Sequence, residues 1–150
     1  MKRLLLSLLC ALIFLTGCSF QTEKPYEFRQ DSAQIMTIEI VKKTHDSVVT
    51  DTPTTVIKAF DASEHNVVID AILSVDGGTN GLDPTTGFGV YIIKITYLNG
   101  EIEMIGNYSN GYISTDGVMH EGIYCFDTKQ YYDMISNLLG EEITDYTYSK

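Results

Sequence analysis

A β-hairpin is the clearest structural signal in the chain, and it lies in residues 90–108, which read VYIIKITYLNGEIEMIGNY. An apolar, β-branched segment leads into Asn99-Gly100, and an alternating segment returns from it. Asn-Gly is the dipeptide preferred in a two-residue type I′ turn, because both central residues of that turn need a positive φ. This turn predicts a register in which Lys94 lies opposite Ile105.

The predicted register divides the hairpin into two faces, since successive side chains of a strand point to opposite sides of a sheet. The predicted core face carries mostly apolar and aromatic side chains: Tyr91, Ile93, Ile95, Tyr97, Ile102, Met104 and Tyr108. The predicted outer face is mixed and carries Ile92, Lys94, Thr96, Leu98, Glu101, Glu103 and Ile105. Exposed apolar residues ringed by polar ones can mark a contact surface. The candidate binding residues are therefore Ile92, Lys94 and Ile105.

Two helices are predicted on either side of the hairpin by matching local patterns. Each pattern starts with an aspartate cap and a Glu or Gln three residues later, as in a capping box: Asp61 with Glu64, and Asp127 with Gln130. Apolar residues then recur at helical spacing: Val68, Ile69, Ile72 and Leu73, and Met134, Ile135, Leu138 and Leu139. Gly77 and Gly140 suit the left-handed residue that closes a helix. One-sided apolar stripes of this kind are expected to pack on a sheet.

Further strands are predicted around the helices. Residues 36–41 alternate apolar and polar side chains, residues 54–60 are β-branched, and turn dipeptides separate segments 112–115 and 118–126. Strands in runs, instead of strict alternation with helices, favour an α+β fold. The predicted architecture is a two-layer sandwich, in which an antiparallel sheet of about five to six strands carries two helices on one face.

The N-terminus has the pattern of an export signal. Lys2 and Arg3 precede an apolar run at 4–15, which is shorter than the roughly 20 residues of a membrane-spanning helix. The run ends in Leu15-Thr16-Gly17-Cys18, which resembles the lipobox of bacterial lipoproteins. That resemblance implies cleavage before Cys18 and diacylation of its thiol. It also implies a protein attached by lipid to the extracytoplasmic side of the cell membrane.

The expected domain organisation follows from this signal. Residues 1–17 form the signal peptide, the mostly polar residues 18–31 a flexible tether, and residues 32–150 a single α+β domain. The mature chain loosely resembles small lipoprotein domains of unknown function from Gram-positive bacteria. The resemblance lies in the strand-strand-helix opening and the Tyr-Leu-Asn-Gly turn at 97–100. These motifs are structural, so the resemblance brings no catalytic residues.

Charge narrows the range of partners. The full chain has a net charge of −10, and loss of Lys2 and Arg3 with the signal makes the mature chain −12. Nucleic acid is not an expected partner, because phosphate binding needs a basic surface. The same charge disfavours a domain that lies flat on anionic lipid. The lipid anchor is then the expected membrane contact.

Residues that could carry catalysis or bind metal are sparse. Cys125 is the one thiol left in a mature chain acylated at Cys18, and its apolar neighbours favour a buried small residue. A redox C-x-x-C motif and a Cys-rich zinc site are excluded. The loop at 76–84 matches a calcium loop only in part, and the histidines are far apart in sequence: His45, His65 and His120. Neither a metal nor a cofactor is expected.

Tyrosine is the one abundant recognition residue, with ten in the chain and no tryptophan. Several tyrosines could line a groove for a peptide or glycan: Tyr108, Tyr112, Tyr124, Tyr131 and Tyr132. Strand propensity explains their abundance equally well. We therefore expect a non-enzymatic interaction domain that binds an envelope protein or peptide. The alternative is a lipoprotein that binds a small ligand or glycan in a Tyr-lined groove.

Overall fold

Two antiparallel sheets and two α-helices form the fold in the computed structural model, which describes residues 22–43, 54–79 and 89–144. The elements in chain order are β1 (Thr22–Glu23), β2 (Ile35–Lys43), β3 (Thr54–Phe60), α1 (His65–Leu73), β4 (Gly77–Thr79), β5 (Tyr91–Tyr97), β6 (Ile102–Ile105), β7 (Asn110–Ile113), β8 (Met119–Glu121), β9 (Tyr124–Phe126) and α2 (Thr128–Leu139). The predicted signal peptide, Cys18 and His45 lie outside the described residues.

The larger sheet has six strands in the order β3-β2-β5-β6-β7-β8, and the smaller has the order β1-β4-β9. All neighbouring strands are antiparallel, so the α+β class is confirmed. Alternation defines two faces of the larger sheet. The inner face carries Ile38, Ile40, Ile93, Ile95 and Ile105, and the outer face carries Glu39, Val41, Ile92, Lys94 and Met104.

The main core lies on the inner face. Side chains of both helices belong to the same buried cluster as the inner-face isoleucines: Val68, Ile72, Tyr131, Met134 and Ile135. Burying a large aliphatic or aromatic side chain contributes about 1.5–3 kcal/mol, so these contacts outweigh the helix caps. That both helices lie on one face of the sheet stays a prediction.

The helix boundaries match the capping prediction in part. The Asp61 amide donates to Glu64 Oε2 at 2.9 Å, and Asp127 Oδ1 accepts from the Gln130 amide at 2.9 Å. Gly140 closes α2 with a φ of 74°, as predicted. Gln130 does not reach back to its cap; its side chain instead bonds to Asp76 in the segment after α1.

Two predictions about α1 are wrong. The helix is capped at Ser74, and Gly77 lies in β4 instead of closing the helix. A Cβ atom on Gly77 would lie 2.6 Å from the Cys125 carbonyl oxygen, so the glycine allows β9 to approach. Leu73, expected in the core, is 45% exposed, because it sits at the very end of the helix.

The hairpin is confirmed, but its predicted turn is wrong. The Tyr97 amide donates to the Glu101 carbonyl, and the Gly100 amide donates to the Tyr97 carbonyl, each at 2.9 Å. The loop therefore has three residues and ends at Gly100, whose φ is +88°. Such loops combine a type I turn with a left-handed residue. The register shifts by one residue, and Ile93 lies opposite Ile105.

The domain begins earlier than the predicted boundary at residue 32. β1 pairs with β4, and Tyr26 is 5% exposed within the main core. We call residues 24–31 the N-terminal strap, because they lie against the larger sheet through Tyr26 and Arg29. Residues 22–31, predicted as a flexible tether, therefore belong to the folded domain.

Candidate functional site

The three predicted binding residues lie in different environments. Lys94 lies on the outer face, as predicted. Ile105 belongs to the main core on the inner face, and Ile92 lies on the outer face but is fully buried. The expectation that Ile92 and Ile105 are exposed is wrong. For Ile105 the reason is the register, since a slip of one residue moves every side chain of a strand to the other face.

A second apolar cluster, the outer-face cluster, takes the place of the predicted surface. It consists of Val41 and Ile92, with the partly buried Met104 and Met119 packed against them. Because the register differs from the predicted one by one residue, Met104 lies on the outer face and Ile105 on the inner face, the reverse of the prediction. Ile102, Ile113 and Met119 are cross-strand neighbours on this same face, and all three are half-buried. The outer face thus presents partly exposed apolar side chains across β6, β7 and β8.

An ion pair borders these apolar residues. Lys94 Nζ lies 3.1 Å from Glu39 Oε2, and the two residues are direct cross-strand partners on β5 and β2. Both side chains are partly exposed, so the pair itself contributes at most about 1 kcal/mol to stability. The ion pair matters for its position, because it places a charged margin beside the outer-face cluster.

Glu103 is a buried carboxylate that sequence reasoning placed on the solvent-facing side. It is 2% exposed on the inner face and accepts a hydrogen bond from the Tyr26 hydroxyl at 2.7 Å. The Tyr97 hydroxyl also donates to it, and the Arg29 amide donates at 3.1 Å. The carboxylate therefore joins the strap to β5 and β6.

Burial sets the protonation behaviour of this group. Desolvation raises the pKa of Glu103, while the hydrogen bonds from Tyr97 and Tyr26 oppose that rise. The pKa of each tyrosine is raised, first by burial and then by the neighbouring Glu103 charge. Because the carboxylate is enclosed by side chains of the same chain, the arrangement suits a structural clamp and not a group that meets a substrate.

The strap makes a second set of contacts at its C-terminal end. The Arg29 guanidinium lies 4.1 Å from the centre of the Tyr112 ring, and His120 stacks on Tyr112 with centroids 4.5 Å apart. Arg29 also lies 3.6 Å from Glu101. These contacts occupy the Tyr112 ring, which was predicted to line a groove.

The predicted tyrosine groove does not form. Tyr131 and Tyr132 are buried in the main core, whereas Tyr108 is exposed. Tyr124, together with Tyr26, lines a depression of about 210 Å³. A larger open depression, of about 630 Å³, lies beside the end of α2 and has no tyrosine in its lining.

In residues 22–43, 54–79 and 89–144, no three His, Cys, Asp or Glu side chains lie close enough to hold a metal ion. His65 is buried at the start of α1, and His120 is exposed on β8. Cys125 is buried in β9, as predicted. Across these same residues, no helix has the length and hydropathy of a membrane span.

Comparison with known proteins gives no relative: no family model, no curated protein and no solved structure matches the chain.

Sequence reasoning missed the strap and Glu103 for one shared reason. The Tyr26–Glu103 contact joins residues 77 positions apart, and no local pattern reports such a pair. A partial signal is present, since Tyr26 and Phe28 alternate with polar residues, as in an extended segment with one buried side.

Proposed function

We propose that this protein is a lipid-anchored extracytoplasmic domain that binds an envelope protein or peptide through the outer face of its six-stranded sheet. The observation that carries the proposal is the outer-face cluster, which lies on the face opposite to the main core. Its two methionines are half-exposed, and Met104 lies directly opposite Lys94, whose ion pair with Glu39 forms a charged margin. Apolar surface of this kind, rimmed by polar residues, is typical of protein contact sites.

Methionine suits such a surface. Its unbranched, polarizable side chain adapts to different partner shapes, and it is enriched at interfaces. Met104 and Met119 lie on two different strands, with Ile102 and Ile113 between them in the register. A partner can therefore cover a contiguous apolar area here without a deep cavity.

The alternative, binding of a small ligand or glycan, has weaker support. Ligand sites are usually concave and enclose about 300–1,000 Å³. The depression lined by Tyr26 and Tyr124 holds about 210 Å³ and is open. The larger depression beside α2 lacks the aromatic lining that the alternative requires.

The anchor part of the proposal rests on the sequence. The order of basic, apolar and small residues before Cys18 is the order that export and lipid transfer require. With a net charge of −12 the mature domain is repelled by anionic headgroups, so its exposed faces stay available to proteins.

Site-specific crosslinking in the producing cell tests the binding surface. A photoreactive amino acid is placed at position 104, and as a matched control at Leu98, which is 62% exposed in the hairpin turn. We expect one discrete protein adduct from position 104 and none from position 98. With the photoreactive amino acid at position 119 instead, Met104→Glu should abolish the adduct, whereas Leu98→Glu should not. Equal adducts from both positions, or an adduct unaffected by Met104→Glu, would contradict the proposal.

A further inference from the structure

The folded domain starts close to the proposed lipid anchor. β1 begins at Thr22, four residues after Cys18, and four residues of extended chain span at most about 14 Å. A lipid on Cys18 therefore keeps the surface around Thr22 within about 14 Å of the membrane. The surface around β1 is then the part of the domain that faces the membrane.

The first residues of the domain are fixed to the smaller sheet. Thr22 pairs with Thr79 of β4, and Thr79 pairs in turn with Tyr124 of β9. The Lys24 amide donates to the Gly77 carbonyl at 3.4 Å, and the Tyr124 hydroxyl donates to the Lys24 carbonyl at 2.7 Å. Because neighbouring strands lie about 5 Å apart, Tyr124 lies about 10 Å from Thr22. β9 is therefore as near to the anchor as β1 and β4.

An exposed apolar side chain stands beside these strands. Ile123 directly precedes β9 and is 47% exposed. With Lys24, Glu27 and Thr79 it lines the depression of about 210 Å³, and we call these four residues the smaller-sheet end. Lys24 and Glu27 lie 4.0 Å apart, so their charges balance. The smaller-sheet end is therefore neutral, in a mature chain whose net charge is −12.

This neutrality and the exposed isoleucine indicate which membrane surface fits. Anionic headgroups repel a chain of this net charge, whereas zwitterionic headgroups do not. An isoleucine side chain gains free energy when it leaves water for the boundary between headgroups and acyl chains. One such side chain binds a membrane only weakly by itself, but a short link raises its effective concentration at the surface.

We propose that the short link from Cys18 holds the smaller-sheet end against the membrane, where Ile123 contacts neutral lipid. The inference rests on the anchor in the proposed function and adds the orientation of the domain. The opposite end of the molecule carries β3. α2 starts two residues after β9 and rises about 15 Å to Leu138, whose carbonyl accepts from Lys58 of β3.

Tryptophan fluorescence tests the orientation, because the chain has no tryptophan of its own. Ile123→Trp is compared with Ile57→Trp, a matched control on β3 at a position that is 41% exposed. Each mature chain is coupled through Cys18 to a maleimide phospholipid in phosphatidylcholine vesicles that carry nitroxide headgroups. The second thiol, Cys125, is buried and therefore unreactive. We expect quenching at position 123 to be at least three-fold stronger than at position 57, and twelve Gly-Ser residues inserted after Ser19 should make the two nearly equal.

Ile123→Asp tests the lipid contact itself. With the tryptophan at position 27, in the same depression, Ile123→Asp should lower the quenching at least two-fold, whereas Ile57→Asp should not change it. Equal quenching at positions 123 and 57 without the insertion, a preference that survives the insertion, or no effect of Ile123→Asp would overturn the inference. Maleimide coupling replaces acylation in the cell, so these outcomes are independent of the natural anchor. If they fail while wild type still carries a diacylglyceryl group and Met104→Glu abolishes the adduct, the proposed function stands and only the orientation falls.

Discussion

Glu103 connects three parts of the molecule at the scale of one side chain. Its carboxylate accepts from Tyr26 and Arg29 of the strap and from Tyr97 of β5. A buried donor that loses its acceptor costs about 1–3 kcal/mol. Removal of this one carboxylate therefore leaves several donors unsatisfied at once.

Glu103→Ala and Glu103→Gln separate hydrogen bonding from charge. We expect Glu103→Ala to lower the free energy of unfolding by at least about 1–3 kcal/mol. Burial raises the pKa of Glu103 above its ordinary value of 4.5, so the folded state holds this proton at a pH where the unfolded state has lost it. Wild type should therefore lose stability relative to Glu103→Gln as the pH rises above 4.5, up to the raised pKa.

Denaturant unfolding at several pH values measures that difference. Glu121→Gln is a suitable control, because Glu121 is exposed on β8 and its variant should follow the wild-type curve. The pKa direction would be wrong if the gap between wild type and Glu103→Gln stayed constant across the acid range, or changed in the other direction.

Two glycines allow backbone strain to be separated from steric contact. Gly89 and Gly100 have φ values of +87° and +88°, a region that costs an L-residue about 1–2 kcal/mol. An alanine Cβ at position 100 meets open space, but at position 89 it collides with the Oδ1 atom of the buried Asn107. We expect Gly100→Ala to cost about 1–2 kcal/mol and Gly89→Ala clearly more. Equal shifts in the thermal midpoint would show that Asn107 can move aside.

Among the elements, the helices show which sequence signals are reliable. The cap at Asp127 and the end at Gly140 were predictable because both depend on residues within one turn. The exposure of Leu73 was not predictable, since it depends on where α1 ends relative to the sheet. Leu73 satisfies the apolar stripe but lies at the last helical position.

Three substitutions test whether packing dominates these helices. Ile135→Ala, at a fully buried position of α2, should cost about 2–5 kcal/mol. Asp127→Ala should cost about 0.5–2 kcal/mol through loss of its cap, and Leu73→Ala only about 0.5 kcal/mol. Urea unfolding of the three variants checks this order. A cap variant less stable than Ile135→Ala would refute the dominance of packing.

Among the elements, the hairpin shows which features local sequence patterns can predict and which they cannot. Its strands and turn position were predictable from β-branched runs and from Asn99-Gly100. The loop length was not, because Asn-Gly also fits a three-residue loop in which only Gly100 needs a positive φ. That difference reversed the faces of β6, which is why Glu103 lies inside and Met104 outside.

For the whole molecule, the sequence predicted the class of fold but not its starting point. β1 has only two residues and is held by pairing with β4, more than 50 positions away. A strand pairing over such a sequence separation leaves no local sequence pattern. Residues 22–31 were therefore predicted to be a polar tether. The structure assigns them to the domain, which changes how a lipid on Cys18 would connect to it.

Cys18→Ala tests the anchor. The folded domain starts at Thr22, four residues after Cys18. An extended chain spans at most about 14 Å over that distance, which limits the separation between a diacylated Cys18 and the domain. We expect wild type in the membrane fraction, with a mass that includes a diacylglyceryl group, because stable attachment requires two chains. Cys18→Ala should be released from the membrane or misprocessed, whereas Ser19→Ala should not. Since position 18 precedes every described element, the folded domain should keep its unfolding midpoint. Unchanged membrane retention of Cys18→Ala together with an unmodified thiol in wild type would refute the anchor and leave the outer-face proposal to be judged by crosslinking.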